Sequence, residues 1–112
     1  MKKYIVLYHA KEEVLKKMQS MTPEQHTEGM KHWMIWAKKC GPALVDMGTP
    51  LGMGKKVTAK GTHPSNKDVV GYSILQADSM DDAVKMLKEH PHLKLADSCE
   101  IEVHECMPMP GH

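Results

Sequence analysis

The sequence predicts one α+β domain in which a strand, a helix, two strands, a second helix and a last strand follow one another. Residues 4–9 and 69–77 are rich in β-branched and aromatic side chains, as strands are. Thr22 and Ser79 each precede an amphipathic stretch and have a capping partner three residues later, which predicts a helix start. The chain has 112 residues, the size of one ordinary domain. We therefore treat residues 1–112 as a single domain, with an extended C-terminal tail within residues 103–112.

The composition argues against several classes of protein. The formal net charge is +1, so we expect no basic surface for nucleic acid or for an anionic membrane. The apolar run at residues 4–8 is far shorter than the roughly 20 residues of a membrane span. Three cysteines do not suggest a disulfide framework, and we expect a cytoplasmic protein. No phosphate-binding glycine loop or dinucleotide motif is present, and we expect no cofactor.

The first half of the chain is dominated by one long helix. Residues 12–17 predict only a short helical turn before it. Thr22 is then the expected N-cap and Gln25 its capping-box partner. The helix is expected to run to about Cys40, because Gly41 suits the position after a helix and a proline follows it.

The rest of the chain predicts four strands, a loop and a second helix. They are a short strand at 43–47, a ragged strand at 55–60, a loop at 61–66, the strand at 69–77, a helix from Ser79 that Pro91 ends, and a last strand at 99–106.

The long helix has one apolar stripe, which we expect to face the core. Its members recur at spacings of three and four residues, as on one side of an α-helix. They are His26, Met30, Trp33, Ala37 and Cys40.

The two best strands are apolar on both faces. Tyr4, Val6 and Tyr8 point to one side of the first strand and Ile5 and Leu7 to the other, and the strand around Tyr72 has the same property. In a ferredoxin-like βαββαβ arrangement these two strands are central in an antiparallel four-stranded sheet, and both helices cover one face. The other face needs a cover, which predicts a homodimer; the alternative is that the C-terminal tail folds over it.

Several segments resemble the YCII-related family. They are residues 71–83 for a strand and the following helix start, His90-Pro91-His92-Leu93 for the helix exit, residues 99–103 for the last strand, and His32 eight residues before Cys40. The resemblance implies a dimeric α+β barrel. Some relatives are cofactor-independent lyases or isomerases of small molecules, and a His–Asp pair has been proposed as the active site there. The long segment at residues 52–68 departs from the shorter family members.

The resemblance makes His32 the candidate proton-transfer residue. An imidazole at the margin of a cleft can accept or donate a proton near neutral pH. Asp46 is the candidate that orients it, with Asp97 as the competing acid. The structural alternatives are a surface histidine that stacks on Trp36 and an aspartate that binds backbone amides in a turn.

Two aromatic residues are candidates for binding a substrate. Trp36 is expected to line a pocket or the dimer contact, whereas Trp33 lies in the apolar stripe and is expected to be structural. Tyr72 lies on a central strand, where its hydroxyl either meets a ligand or packs in the core.

A metal site is not expected, although the second half contains several potential ligands. Their spacing along the predicted helix exit and last strand is poor for one ion; they are His90, His92, Cys99, His104 and Cys106. The function predicted from the family is a cofactor-independent lyase or isomerase with a small organic substrate. The alternative is a non-catalytic dimeric module that binds a small molecule or a protein.

Overall fold

The computed structural model of the chain describes residues 1–65 and 68–110. It forms a mixed α+β fold with a four-stranded antiparallel sheet, a two-stranded hairpin and three α-helices. In chain order the elements are β1 (Lys2–His9), α1 (Glu12–Gln19), α2 (Pro23–Cys40), a 3₁₀ turn (Gly41–Ala43), β2 (Leu44–Asp46), β3 (Lys55–Thr58), β4 (Gly61–Pro64), β5 (Val69–Ala77), α3 (Met80–Leu87), a second 3₁₀ turn (Pro91–Lys94) and β6 (Glu100–Glu105).

The main sheet has the strand order β2-β5-β1-β6, and every neighbouring pair is antiparallel. The two strands that the sequence predicts best, β1 and β5, therefore lie at its centre. Ile5 pairs with Ile74 and Leu7 with Tyr72, so these four side chains share a face. An irregularity in the register follows Tyr8 and shifts the end of β1 relative to β5.

The long helix begins and ends where the sequence predicts. The Thr22 side chain accepts a hydrogen bond from the Gln25 amide, and the Gln25 side chain accepts one from the Thr22 amide. The helix ends at Cys40, and Gly41 follows with φ of +55°, a conformation that favours glycine. The preceding segment is more regular than expected, because α1 forms two turns rather than a short helical turn.

Helices α2 and α3 cover one face of the sheet. The fully buried side chains Tyr4, Val6 and Leu75 project from that face. Trp36 of α2 and Leu87 of α3 pack against the latter two in one core cluster. Each buried aliphatic or aromatic side chain of this kind contributes about 2 kcal/mol, so this face is where the helices are anchored.

No helix of residues 1–65 or 68–110 lies on the opposite face of the sheet. Ile5, Leu7, Tyr72 and Ile74 are only partly buried, and they belong to none of the hydrophobic clusters of the described residues. The C-terminal tail, as far as Pro110, does not fold over this face, because its side chains Met107 and Met109 are 71% and 68% exposed.

The segment between β2 and β5 differs from the sequence prediction. We expected a ragged strand at 55–60 and a loop at 61–66, but Lys55–Thr58 and Gly61–Pro64 pair as an antiparallel hairpin. Asn66, the end of the expected loop, lies outside the described residues. The prediction that Pro91 ends α3 is also inaccurate, since the helix ends at Leu87 and Pro91 begins a 3₁₀ turn instead.

None of the helices in the described ranges is long and apolar enough to cross a membrane.

Candidate functional site

A cavity of about 430 Å³ lies between α1, α2, the segment after β2 and the start of β5. Its size falls in the range of small-molecule sites. Most of its wall is apolar, with four thioether side chains and one indole: Met18, Met21, Met30, Met47 and Trp33. Met30 and Leu51 are 53% and 41% exposed, so this side of the cavity opens to solvent.

The cavity exists because only the C-terminal half of α2 packs against the sheet. Trp33, Ala37 and Cys40 pack against the core, whereas His26 and Met30, further up the same stripe, line the cavity. The predicted apolar stripe therefore points towards the sheet, as expected, but His26 and Met30 line the cavity and do not pack in the core. Gly29 lies on the same wall, and a Cβ placed there would meet nothing within 4 Å.

The segment after β2 forms another wall and is held tightly against the sheet. The Gly48 amide donates to Asp46 Oδ1 at 2.8 Å, and the Leu51 amide donates to the Val70 carbonyl at 2.9 Å. Gly48 has φ of +79°, and its Cα lies so close to β5 that a Cβ would collide with the Tyr72 carbonyl oxygen. Only glycine allows this approach.

A chain of hydroxyl groups joins that segment to the sheet. The Ser73 Oγ donates to the Met47 carbonyl at 2.7 Å, so its single proton is used. The Tyr8 hydroxyl, 2.7 Å from Ser73 Oγ, must then be the donor in their hydrogen bond. Burial raises the pKa of Tyr8 to about 12, so the phenol stays protonated and this chain of donors is fixed.

Two buried histidines lie beside Tyr8 at the exit of α3. His92 lines the cavity, and its Nε2 donates to the His9 carbonyl at 2.8 Å. The His90 Nδ1 accepts from the His92 amide at 2.9 Å, so the His90 proton is on Nε2, which has no hydrogen-bond partner among the described residues. Burial lowers the pKa of His90 to about 3, and burial also lowers the pKa of His92. Both imidazoles are therefore neutral at pH 7.

The rings around His90 form a compact aromatic cluster. The His90 ring centroid lies 4.3 Å from those of both Trp33 and Trp36 and 4.8 Å from that of Tyr8. The Trp contacts are edge-to-face, a favourable geometry for an N–H or C–H that points at a ring. The cluster lies between the core and the cavity, because Tyr8 and Trp33 contact the core and also line the cavity.

A separate group of ionisable side chains lies on the open face of the sheet. His9 Nδ1 is 2.7 Å from Asp68 Oδ1 and His9 Nε2 is 3.3 Å from Glu102 Oε1, which also lies 3.4 Å from His104. Burial alone would lower the pKa of His9, but the hydrogen bonds and charges of the two carboxylates outweigh it and raise the pKa. The imidazolium form makes both contacts at once, because both of its ring nitrogens are donors.

The structure does not bring the predicted pair His32 and Asp46 into contact. His32 is 60% exposed on α2, and its ionic contact is with Glu28, 3.9 Å away. Asp46 instead accepts from the Gly48 amide and, at 3.4 Å, from the Tyr72 hydroxyl. Asp97, the competing acid, is exposed.

Trp33 packs against the core, as the apolar stripe predicts, but it also lines the cavity, whereas Trp36, the expected pocket or dimer residue, does not. Trp36 is 4% exposed and its Nε1 donates to the Met86 carbonyl at 2.8 Å, so it is a core residue. Trp33 lines the cavity together with Tyr72. Sequence reasoning missed Tyr8 and His92 as lining residues; the signal for the latter was the His-Pro-His sequence, which we had considered as a helix exit of the YCII-related type and as a possible set of metal ligands.

Among residues 1–65 and 68–110 no group of three or more His, Cys, Asp or Glu side chains is close enough to hold a metal ion. No family model matches the chain, and no curated protein matches it. The cavity and the motifs quoted above are therefore the observations that bear on the function of the protein.

Proposed function

We propose that this protein binds a small, mainly apolar organic molecule in the cavity between α1, α2 and the sheet. The observation that supports this most strongly is the cavity itself, which is of ligand size and is lined by Met and Trp side chains. Unbranched thioethers adapt to the shape of a ligand. Gln25 and His26 add polar groups to the wall, which would fix the orientation of a bound molecule, whereas the His92 Nε2 is already used on the His9 carbonyl.

Gly29 offers a test of this proposal. Its missing side chain faces open space on the cavity wall, so Gly29→Leu places a branched side chain there without a clash in the empty protein. We expect Gly29→Leu to weaken binding of the fluorescent probe 8-anilinonaphthalene-1-sulfonate by about tenfold, the loss of roughly 1.4 kcal/mol. The matched control is Gly29→Ala, which adds one methyl group and should bind nearly as the wild type does.

The same variants separate binding from unfolding. Both substitutions replace a glycine inside a helix and should stabilise the fold by up to about 1 kcal/mol. Equal probe affinity in wild type and Gly29→Leu would refute the proposal.

We propose further that the chain is a YCII-like protein with a ferredoxin-like arrangement. The main sheet contains β1, β2, β5 and β6, which are its first, second, third and fourth strands in chain order. Their order across the sheet is β2-β5-β1-β6, so the first and the third are central, as in a ferredoxin-like sheet. The quoted motifs fall on elements that suit this arrangement, with residues 71–83 in β5 and the start of α3 and residues 99–103 in β6.

We also propose a homodimer, in which the open faces of two sheets cover each other. The support is the row of Ile5, Leu7, Tyr72 and Ile74 on a face that no helix covers. An apolar patch of this kind usually marks an interaction surface. Light scattering should give twice the chain mass, and Ile74→Lys should lower it; a wild-type monomer would refute the dimer.

A second candidate function is a cofactor-independent lyase or isomerase that uses His32 and Asp46. It is supported by the restraint on the Asp46 carboxylate, which two donors orient, and by the accessibility of the His32 imidazole. If the two residues act together, Asp46→Asn should change the NMR signals of the His32 ring, and His32→Gln should abolish turnover. Unchanged His32 signals in Asp46→Asn would refute this pairing.

A further inference from the structure

The β3–β4 hairpin projects from the rest of the molecule as an arm. We define the arm as residues 54–65, whose two strands are exposed at every position. Val57 is 76% exposed, and the neighbouring Met53 is 99% exposed. The radius of gyration is 15.6 Å, whereas a compact chain of this length has about 13 Å. An isolated two-stranded hairpin is only marginally stable in water, so the arm gains from a partner that covers it.

The arm is basic. Lys55, Lys56 and Lys60 are its charged residues, and no aspartate or glutamate occurs in it. Within the described residues none of these three lysines forms a salt bridge. The whole chain has a net charge of only +1, so this local excess is balanced by acidic surface elsewhere.

The acidic counterpart is an edge strand of the four-stranded sheet. β6 lies at the outside of the sheet order, with one side paired to β1 and the other side unpaired. Glu100, Glu102 and Glu105 follow one another along it. Glu102 contacts His9 and His104, and Glu105 lies 3.9 Å from Lys2, whereas Glu100 makes no salt bridge within the described residues. An edge strand with free amides and carbonyls is a place where another extended segment can add.

We propose that the arm of one molecule docks along the acidic β6 edge of a second copy of the chain. Lysines of the arm meet glutamates of the edge, and Val57 contributes apolar contact. The proposal depends on the homodimer proposed above and deepens it, because each subunit would contribute one arm and one edge. The contacts are charged and peripheral, so they should depend on salt and act on the association of the subunits.

The test uses two charge-reversed chains. The arm variant is Lys55→Glu/Lys56→Glu/Lys60→Glu, and the edge variant is Glu100→Lys/Glu102→Lys. In sedimentation at about 50 mM salt, each variant alone should dimerise at least about tenfold more weakly than the wild type, because both of its contacts become repulsive.

Mixing the two variants should restore the dimer. In the mixed pair the acidic arm of one chain meets the basic edge of the other, and the basic arm of the second meets the acidic edge of the first. The matched control reverses three exposed lysines elsewhere, at Lys11, Lys31 and Lys85, which changes the net charge as much as the arm variant does. At the same salt concentration it should dimerise more strongly than the arm variant.

The outcomes distinguish this inference from the dimer on which it rests. A monomeric wild type would overturn both. A wild type and an arm variant that dimerise equally at low salt would overturn the arm contact alone and leave the face-to-face dimer in place. An arm variant that keeps the wild-type dimer but loses retention on a heparin column would show that the arm serves an anionic polymer, and would also overturn the inference.

Discussion

Gly48→Ala should be one of the most damaging single substitutions in this chain, although it adds only a methyl group. The backbone at Gly48 has φ of +79°, and an ideal Cβ would lie 1.7 Å from the Tyr72 carbonyl oxygen and 2.6 Å from its carbonyl carbon. Both atoms belong to the backbone of the central strand β5. They cannot move aside as a flexible side chain would.

The expected cost has two parts. Holding a non-glycine residue in a rarely populated backbone region costs about 1–3 kcal/mol. Relief of the collision requires the segment after β2 to move away from β5, and overpacking of this kind costs about another 1–3 kcal/mol. The sum of roughly 2–6 kcal/mol is a large part of the 5–15 kcal/mol that stabilises an ordinary domain. The same movement would loosen the cavity wall at Met47 and the hydrogen bond from Ser73.

Urea denaturation followed by tryptophan fluorescence measures this cost directly. Gly29→Ala is the matched control, since it also adds one methyl group but in a helix with open space around it; it should raise stability by up to about 1 kcal/mol. A Gly48→Ala protein within about 1 kcal/mol of the wild type would refute the close approach to β5 on which this reasoning depends.

Three further predictions concern the polar groups around the cavity and on the open face. Ser73→Ala should lower the free energy of unfolding by about 1–3 kcal/mol, because it leaves the Tyr8 hydroxyl and the Met47 carbonyl without a partner. Tyr8→Phe should cost less, and equal urea midpoints for the two variants would contradict this. The lowered pKa of His90 favours its neutral imidazole, so the contribution of His90 to the free energy of unfolding is full above pH 6.5 and is lost as the pH falls towards 3. In His90→Asn the side chain still offers an acceptor to the His92 amide but does not titrate, so this loss should be smaller. The raised pKa of His9 has the opposite effect: its contribution to the free energy of unfolding is full below pH 6.5 and is lost as the pH rises through the pKa of the folded state. In His9→Gln this loss should be absent when the free energy of unfolding is measured against pH.

The parts of the fold that were predictable are those set by local interactions. The capping box at Thr22 and the glycine at position 41 act within one helical turn, and both ends of α2 were correct. The strand at Val69–Ala77 was equally clear, because its apolar side chains continue on both faces. The hairpin strand Gly61–Pro64 was missed, because its glycine, proline and polar residues are typical of a loop and its pairing with Lys55–Thr58 is what makes it a strand.

The tryptophans show why the site was harder to predict than the fold. Trp33 and Trp36 lie three residues apart on α2, and both point towards the sheet. Both contact the core, but which of them is enclosed by it and which also borders the cavity depends on how the helix is tilted over β1 and β5, and no local pattern encodes that tilt. The apolar stripe gave the direction of the helix face correctly, but it contained no sign that this face diverges from the sheet on the N-terminal side of Trp33, at Met30 and His26.

The buried histidines have a related explanation. Histidine is usually partly exposed, and in the sequence the His90-Pro91-His92 stretch resembles a set of ligands. The structure uses these side chains as neutral packing groups instead: His90 is enclosed by aromatic rings, and His92 is tied to the end of β1. Long-range contacts produce this burial, and it then determines the charge state. The charge of these residues was therefore as unpredictable as their position.

The two halves of α2 connect these observations and separate the proposals. Its C-terminal half carries Trp36 into the core, and its N-terminal half leaves a cavity that Gly29 keeps open. Changes at Gly29 should therefore affect ligand binding with little effect on folding. Tyr72 belongs both to the cavity wall and to the open sheet face, but Ile5, Leu7, Ile74 and the arm do not line the cavity, so variants at these positions should change association without closing it. If Gly29→Leu abolished dimerisation, or the arm variant abolished probe binding, the separation of the two surfaces would be wrong and the ligand site would have to be shared between subunits.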